Sequence, residues 1–253
     1  MMTQTSGAGP RLLFARLFSA ALRMREVQLA EWAFRGTDAS TICTRRLFGH
    51  EMHLDVSRSS THRLLYLMGE RFVPERRLLA GLVSPRMTVV DVGANIGYYL
   101  LLFEHLLKGQ GRVVCIEPSR ENLVELRRNI AANQLTNAAV HAVAVGALGG
   151  QARLRSGLNG FVNEDEGAEV PLHTLDSLLD GHVDLVKIDV EGYEGHVIEG
   201  CVFSTLKRHH PVLFLELHPG IVKRFGRSPE EVVALLRPIY PYIEAWELAM
   251  QAC

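Results

Sequence analysis

The sequence predicts an α/β fold, a mostly parallel sheet with helices on both faces. From Met87 onward, short apolar runs alternate with stretches of helical period over short connections, the order that parallel strands with crossover helices require. The first strand-to-helix junction, Asp91-Val92-Gly93-Ala94-Asn95-Ile96-Gly97, is a glycine-bearing turn. Such a turn lets a ligand approach the backbone and face the amide groups of the helix that follows.

Residues 1–10 are small, polar and glycine-bearing, a composition that predicts disorder. From Arg11 to Phe34 the residues Leu13, Leu17, Ala21, Met24, Leu29 and Phe34 roughly follow a helical period, so residues 1–40 read as a partly helical extension. Packing on the domain, a homodimer contact, an active-site lid and a membrane-surface helix are all compatible with it. Ile42 to Val56 alternates around Gly49 and predicts a hairpin; Leu64 to Phe72 and Pro74 to Leu82 read as helices. Thr88 to Val92 is strand one and Tyr98 to Leu107 its helix. Arg112 to Glu117 is strand two, followed by a helix opened by Pro118 and Ser119 that runs to about Asn133. Val140 to Val145 is strand three, and Asp184 to Asp189 and Val212 to Leu217 are two more, apolar enough to be central. Gly146 to Asp180 fits no simple crossover: it holds a turn at Gly149-Gly150, a short strand at Ala152 to Leu154 and an acidic loop at Asn163 to Gly167. That loop is either solvated surface or a substrate gate.

Composition narrows the function. With 253 residues, 27 Lys and Arg against 28 Asp and Glu and a net charge of -1, there is no basic bias for nucleic acid. A small-molecule acceptor fits better. Cys43, Cys115, Cys201 and Cys253 lack the spacing of a metal site, and Cys115 and Cys201 read as core residues. The run Leu12 to Leu22 is interrupted by Arg16 and followed by no convincing cleavage site, and nothing approaches a membrane span. A cytoplasmic protein is expected.

Three features make the first turn a nucleotide site. Asp91 ends strand one, the glycines follow, and Glu117 ends strand two roughly 20 residues beyond Gly97, where an acid can accept ribose hydroxyls. A dinucleotide fingerprint requires a second glycine where this chain has Asn95, and Asp91 would repel a diphosphate. The same acid suits a ligand carrying ammonium and sulfonium groups, so S-adenosyl-L-methionine is favoured over NAD and over a purely structural turn. An NAD-dependent oxidoreductase and a non-catalytic cofactor-binding protein are the competing classes.

Four segments together resemble the FkbM-type S-adenosylmethionine-dependent methyltransferases: Val89 to Tyr99, Ile116-Glu117-Pro118 with Asn122 and Leu123, Leu185 to Glu194, and Phe214 to His218. The resemblance covers roughly residues 42–246 and implies a Rossmann-like class I methyltransferase fold for a domain at 41–253. It also implies methylation of an oxygen, usually on a sugar or secondary metabolite, the latter including polyketide or peptide hydroxyls. Carried over by position, Asp91, Gly93, Ala94, Asn95 and Gly97 would shape the methionine pocket. Glu117 would bind the ribose, Pro118 and Asn122 would flank the adenine, and Ala144 and Val145, ending strand three, would contact it.

The chemistry belongs at the carboxyl ends of the later strands. Alternation places Glu216 and His218 on one face, and Asp189 should converge on them. Methyl transfer to a hydroxyl needs a proton acceptor, and His218 titrates in the right range, with Asp189 or Glu191 orienting it or acting as base. Alternatively a divalent cation such as Mg, held by Asp189 and Glu216 with or without His218, would acidify the hydroxyl. Lys187 reads as an ion-pair partner of a strand-end acid, and Glu194 as a helix-capping charge.

Overall fold

A computed structural model describes residues 11–15, 28–35, 41–69, 73–155, 161–163 and 167–246. The expected disorder at 1–10 and the centre of the acidic loop lie outside them. Before the glycine-bearing turn at 91–97 come β1 (Arg11–Ala15), α1 (residues 28–33), β2 (Ile42–Leu47), β3 (His50–Asp55), α2 (Ser60–Met68) and α3 (Val73–Leu82). The first half of the sheet domain is β4 (Thr88–Val92), α4 (Tyr98–Leu107), β5 (Arg112–Ile116), α5 (Arg120–Ala132) and β6 (Ala138–His141). An insert follows, comprising β7 (Ala144–Val145), β8 (Gly150–Arg155), β9 (Phe161–Asn163), β10 (Ala168–His173) and α6 (Leu175–Leu178). The last part is β11 (Leu185–Ile188), α7 (Glu194–Glu199), a π-helix (Val202–His209), β12 (Val212–Glu216), α8 (Pro219–Val222), α9 (Pro229–Leu236) and β13 (Tyr242–Trp246).

Seven strands form one sheet in the order β13-β1-β12-β11-β4-β5-β6, with every pairing parallel. Alternation along its strands feeds two cores. Val89 and Phe214 join α4 residues Leu100 and Phe103 on one face, while Val90, Val92, Leu213 and Leu215 join Val232 and Tyr240 on the other. Burying each such side chain contributes about 2 kcal/mol, so the sheet is a rigid base for whatever projects from its strand ends.

Three expectations are corrected. Arg11–Ala15 is a strand rather than the start of a helix, paired on both edges with β12 and β13; a short apolar run such as Leu12-Leu13-Phe14 does not distinguish the two by period. The helical expectation holds at residues 28–33, and 16–27 lie outside the described residues. Strand three ends at His141, not Val145. Ala144 and Val145, both buried, belong to a separate four-stranded sheet, β7-β10-β8-β9, built from the insert that fitted no crossover. Finally, α2 starts at Ser60 because Ser59 caps it, its Oγ accepting from His62 N, and it stops before Gly69 at φ 70°.

The hairpin β2–β3 turns through Phe48 and Gly49, both at positive φ, as a two-residue hairpin turn requires. It is clipped to α5 by Asn129, whose Oδ1 accepts from His53 N at 2.8 Å and whose Nδ2 donates to Ile96 O at 2.8 Å. Below it, Ser59, His62 and Glu125 form a buried chain: Ser59 Oγ to His62 Nδ1 at 2.5 Å and His62 Nε2 to Glu125 Oε2 at 2.9 Å. Ser59 is buried and already caps α2, so the chain braces α2 against α5 rather than presenting a nucleophile. Among the described residues no helix is long and apolar enough to cross a membrane.

Candidate active site

The turn between β4 and α4 is shaped by Gly93, Asn95 and Gly97 at φ 84°, 50° and 95°. A Cβ on Gly93 would lie 1.9 Å from the Asp189 carbonyl oxygen, so the turn and the end of β11 touch through a glycine that no other residue can replace without movement. The backbone N–H groups of Gly93 and Ala94 both donate to Ile116 O. Glu117 lies across the turn: Oε2 accepts from Asn95 N at 2.8 Å, and Oε1 accepts from Ser119 N at 2.9 Å and Asn122 Nδ2 at 3.3 Å. Burial pushes this carboxyl up to about 7 against the pull of those donors.

Asp91 and Lys187 face each other as register partners on β4 and β11 and are both fully buried. Lys187 Nζ lies 3.1 Å from Asp91 Oδ1, 3.7 Å from Asp189 Oδ2 and 4.5 Å from the Tyr99 ring centroid. The contact with Asp91 is an ion pair without hydrogen-bond alignment, and neither Asp91 oxygen has a hydrogen-bond donor. Burial alone would lower the Lys187 ammonium, but Asp91, Asp189 and Glu216 raise it to about 12, so it stays protonated; burial raises the Asp91 carboxyl against the pull of Lys187.

At the ends of β11 and β12 four acids surround His218. Nδ1 lies 3.2 Å from Glu194 Oε1, while Nε2 faces Glu191 at 3.6 Å, Glu216 at 3.8 Å and Asp189 at 3.9 Å. Burial would lower the imidazole; the Glu194 hydrogen bond and the other three carboxylates outweigh it and raise it to about 9. Glu191 stands at φ 52° beside Gly192 at φ 104°, a left-handed pair that turns the chain sharply from β11 into α7.

Residues 91–244 match the Methyltransferase FkbM domain. The chain belongs to the FkbM methyltransferase family. The crystal structure of methyltransferase FkbM from Methylobacillus flagellatus KT is 23% identical at a TM-score of 0.50 and covers 72% of this chain and 47% of its own. This FkbM-family chain therefore spans about half the length of that relative, with which it shares the fold. P. horikoshii TYW2, solved in complex with MeSAdo, aligns over 92% of this chain and 78% of its own at 17% identity and a TM-score of 0.43. M. jannaschii TYW2 in complex with AdoMet aligns over 40% and 43% at 25% identity and a TM-score of 0.33. No curated protein sequence matches the chain.

In this FkbM-family fold the residues singled out in the sequence fall into two groups joined by Lys187. Asn95 meets Glu117 through a hydrogen bond that Glu117 extends to Asn122, Gly93 and Ala94 donate to Ile116 O, and Gly97 donates to Ala94 O; Asp91 begins the same turn and Pro118 follows Glu117. Asp189, Glu191, Glu216 and His218 converge. Ala144 and Val145 belong to the second sheet, and Val145 packs in one core with Val92 and Ile116, which flank the turn and Glu117. Two buried residues escaped sequence reasoning as parts of this assembly. Glu194 holds the His218 ring and also accepts from Gly192 N at 2.9 Å; the run of acids at 189, 191 and 194 was its only signal. Asn129 fixes the carbonyl of Ile96 inside the turn between β4 and α4, and its place in α5 gave no hint of that.

Proposed function

We propose that this protein transfers a methyl group from S-adenosylmethionine to a hydroxyl of a saccharide or glycosylated metabolite. The observation that supports this most is the Lys187 bridge, one buried ammonium 3.1 Å from Asp91 in the nucleotide turn and 3.7 Å from Asp189 in the acid cluster. Donor pocket and acceptor pocket thereby share a wall. The turn suits the cofactor, since its glycines in the left-handed region let a ligand approach the backbone, with Asp91 paired to Lys187 beneath it. Glu117 already accepts three donors, and a carboxylate has about four lone-pair positions, which leaves one for a ribose hydroxyl. Pro118 and Asn122 flank the adenine.

When bound, S-adenosylmethionine supplies an electrophilic methyl on a sulfonium. Asp189, Glu191 and Glu216 accept hydrogen bonds from the hydroxyls of the acceptor, which orients one oxygen for in-line attack. His218 Nε2, in the deprotonated form that predominates only above about pH 9, takes the proton of that oxygen as its bond to the methyl forms, and Glu194 keeps Nδ1 turned away from the reaction. A cluster of hydrogen-bond acceptors suits a polyhydroxylated neutral acceptor, whose every hydroxyl is a donor.

A second reading has its own observation. Ligand atoms of Asp189, Glu216 and His218 lie within 4.8 Å of one another, a donor set of oxygen and nitrogen that fits a divalent cation such as Mg. A cation there would acidify the acceptor hydroxyl directly. Both readings are tested by incubating the purified chain with methyl-labelled S-adenosylmethionine and a panel of saccharides, polyketides and peptides, with and without chelator. Label on a saccharide oxygen is expected. Label only on the polyketide or peptide hydroxyls overturns the acceptor class, and loss on chelation with recovery on added Mg selects the cation mechanism.

A further inference from the structure

Asp91 opens the glycine-bearing turn, yet both of its oxygens are buried and neither accepts a hydrogen bond. A ligand lying on the turn meets the glycine backbone rather than this carboxylate. What Asp91 faces is Lys187, its register partner on β11, with Nζ at 3.1 Å. Its register partner on β5 is Cys115, whose buried thiol is pushed up and carries no charge.

Lys187 is held beneath the turn from both ends. Asp91 begins the turn, and Tyr99, whose ring centroid lies 4.5 Å from Nζ, stands in the first turn of the helix that follows it. That helix, α4, brings its positive end to the same place and has no acid in its first turn. A buried ammonium and a helix N-terminus together repel a ligand whose reactive centre is a sulfonium. Asp189 and Glu216 also attract Lys187, but they stand at the strand ends around His218. Under the turn itself the cancelling charge is Asp91.

We propose, on the reading of this turn as the S-adenosylmethionine pocket, that Asp91 and Lys187 set its selectivity between S-adenosylmethionine and S-adenosylhomocysteine. Asp91 acts as the counter-charge of Lys187 and not as a ligand of the cofactor. The two compounds share the adenosine, the carboxylate and the α-ammonium; they differ at sulfur, a cationic sulfonium in the donor and a neutral thioether in the product. A residue that touched the shared groups, or that only supported the fold, would change both affinities alike. An uncancelled charge under the turn changes their ratio.

Calorimetric titration of the full chain with each compound at matched ionic strength tests it, read as the Kd of S-adenosylhomocysteine divided by that of S-adenosylmethionine. Asp91→Asn leaves the Lys187 charge uncancelled and should lower this ratio at least about fivefold. Asp91→Asn/Lys187→Met removes both charges and should return the ratio to within about twofold of the wild-type value, with thermal unfolding showing that each variant is folded. If Asp91→Asn fails to fold, Lys187→Met carries the opposite comparison: it releases Asp189 as well as Asp91 and should raise the ratio about fivefold or more. A ratio that the folded single variant leaves unchanged, or that the double variant fails to restore, overturns the proposal while the pocket still binds both compounds. A wild-type chain that binds neither compound overturns the reading of the pocket as well.

Discussion

Replacing Glu194 by Gln removes one negative charge from beside His218 while keeping the Oε1 acceptor that serves Gly192 N. The wild-type imidazole is raised from 6.5 to about 9, with the Glu194 hydrogen bond the foremost of the raising causes. A hydrogen bond to a charged group is worth about 1.5–3 kcal/mol, which at 1.36 kcal/mol per pKa unit is about 1–2 units. The variant should therefore titrate His218 between about 7 and 8. The shift has a sign in stability as well. A raised pKa means that protonation stabilises the folded chain below the unfolded value of 6.5, and that this contribution is lost as pH rises through about 9. The whole shift corresponds to roughly 3 kcal/mol, and Glu194→Gln should remove about half of it at pH 6 and almost none at pH 10. NMR titration of the His218 ring protons and urea unfolding at the two pH values read both effects. If the base assignment is right, the rising limb of kcat/KM moves down in pH by the same 1–2 units, roughly. An unchanged His218 titration in a folded variant would refute the reasoning, because the carboxylate at 3.2 Å would then contribute nothing to the imidazolium.

Gly93→Ala should cost at least about 2 kcal/mol of stability and abolish S-adenosylhomocysteine binding, since the added Cβ meets backbone at 1.9 Å in a left-handed conformation. Thermal unfolding and calorimetry check it. Lys187→Met leaves Asp91 buried and unpaired and should cost about 3–5 kcal/mol in urea unfolding. Adding Asp91→Asn to it should recover part of that loss, which tests whether the uncompensated charge is the cause. Asn129→Ala should cost about 2 kcal/mol and weaken cofactor binding, because it strands the buried carbonyl of Ile96 in the nucleotide turn; equal cofactor affinity in the variant would show that the turn holds itself.

The central strands were legible because each is a short apolar run bounded by turn residues, and Thr88–Val92 and Tyr98–Leu107 match their sequence bounds. The boundary of strand three was not. Ala138 to Val145 is apolar on either side of His141, and nothing local says that the chain leaves one sheet at His141 and enters another at Ala144. The strand at Arg11–Ala15 was missed for a related reason, since its identity depends on two partners, β12 and β13, that lie two hundred residues away or more along the chain.

By itself the sequence determined the glycine-bearing turn between β4 and α4, the acid at Glu117 and the acidic strand ends, because these rest on residue chemistry at fixed short spacings within single strand–turn–helix units. Only the tertiary structure decided how those units meet. Lys187 joins Asp91 to Asp189 because β4 and β11 are neighbours in the sheet, and Glu194 reaches His218 because the turn at Glu191 and Gly192 folds α7 back towards the end of β12. Burial and neighbours then set the charge states: the histidine that titrates near 6.5 in water is raised to about 9 by four carboxylates against its burial, and the glutamate near 4.5 is raised to about 7 by burial against three donors, surroundings that no local spacing specifies.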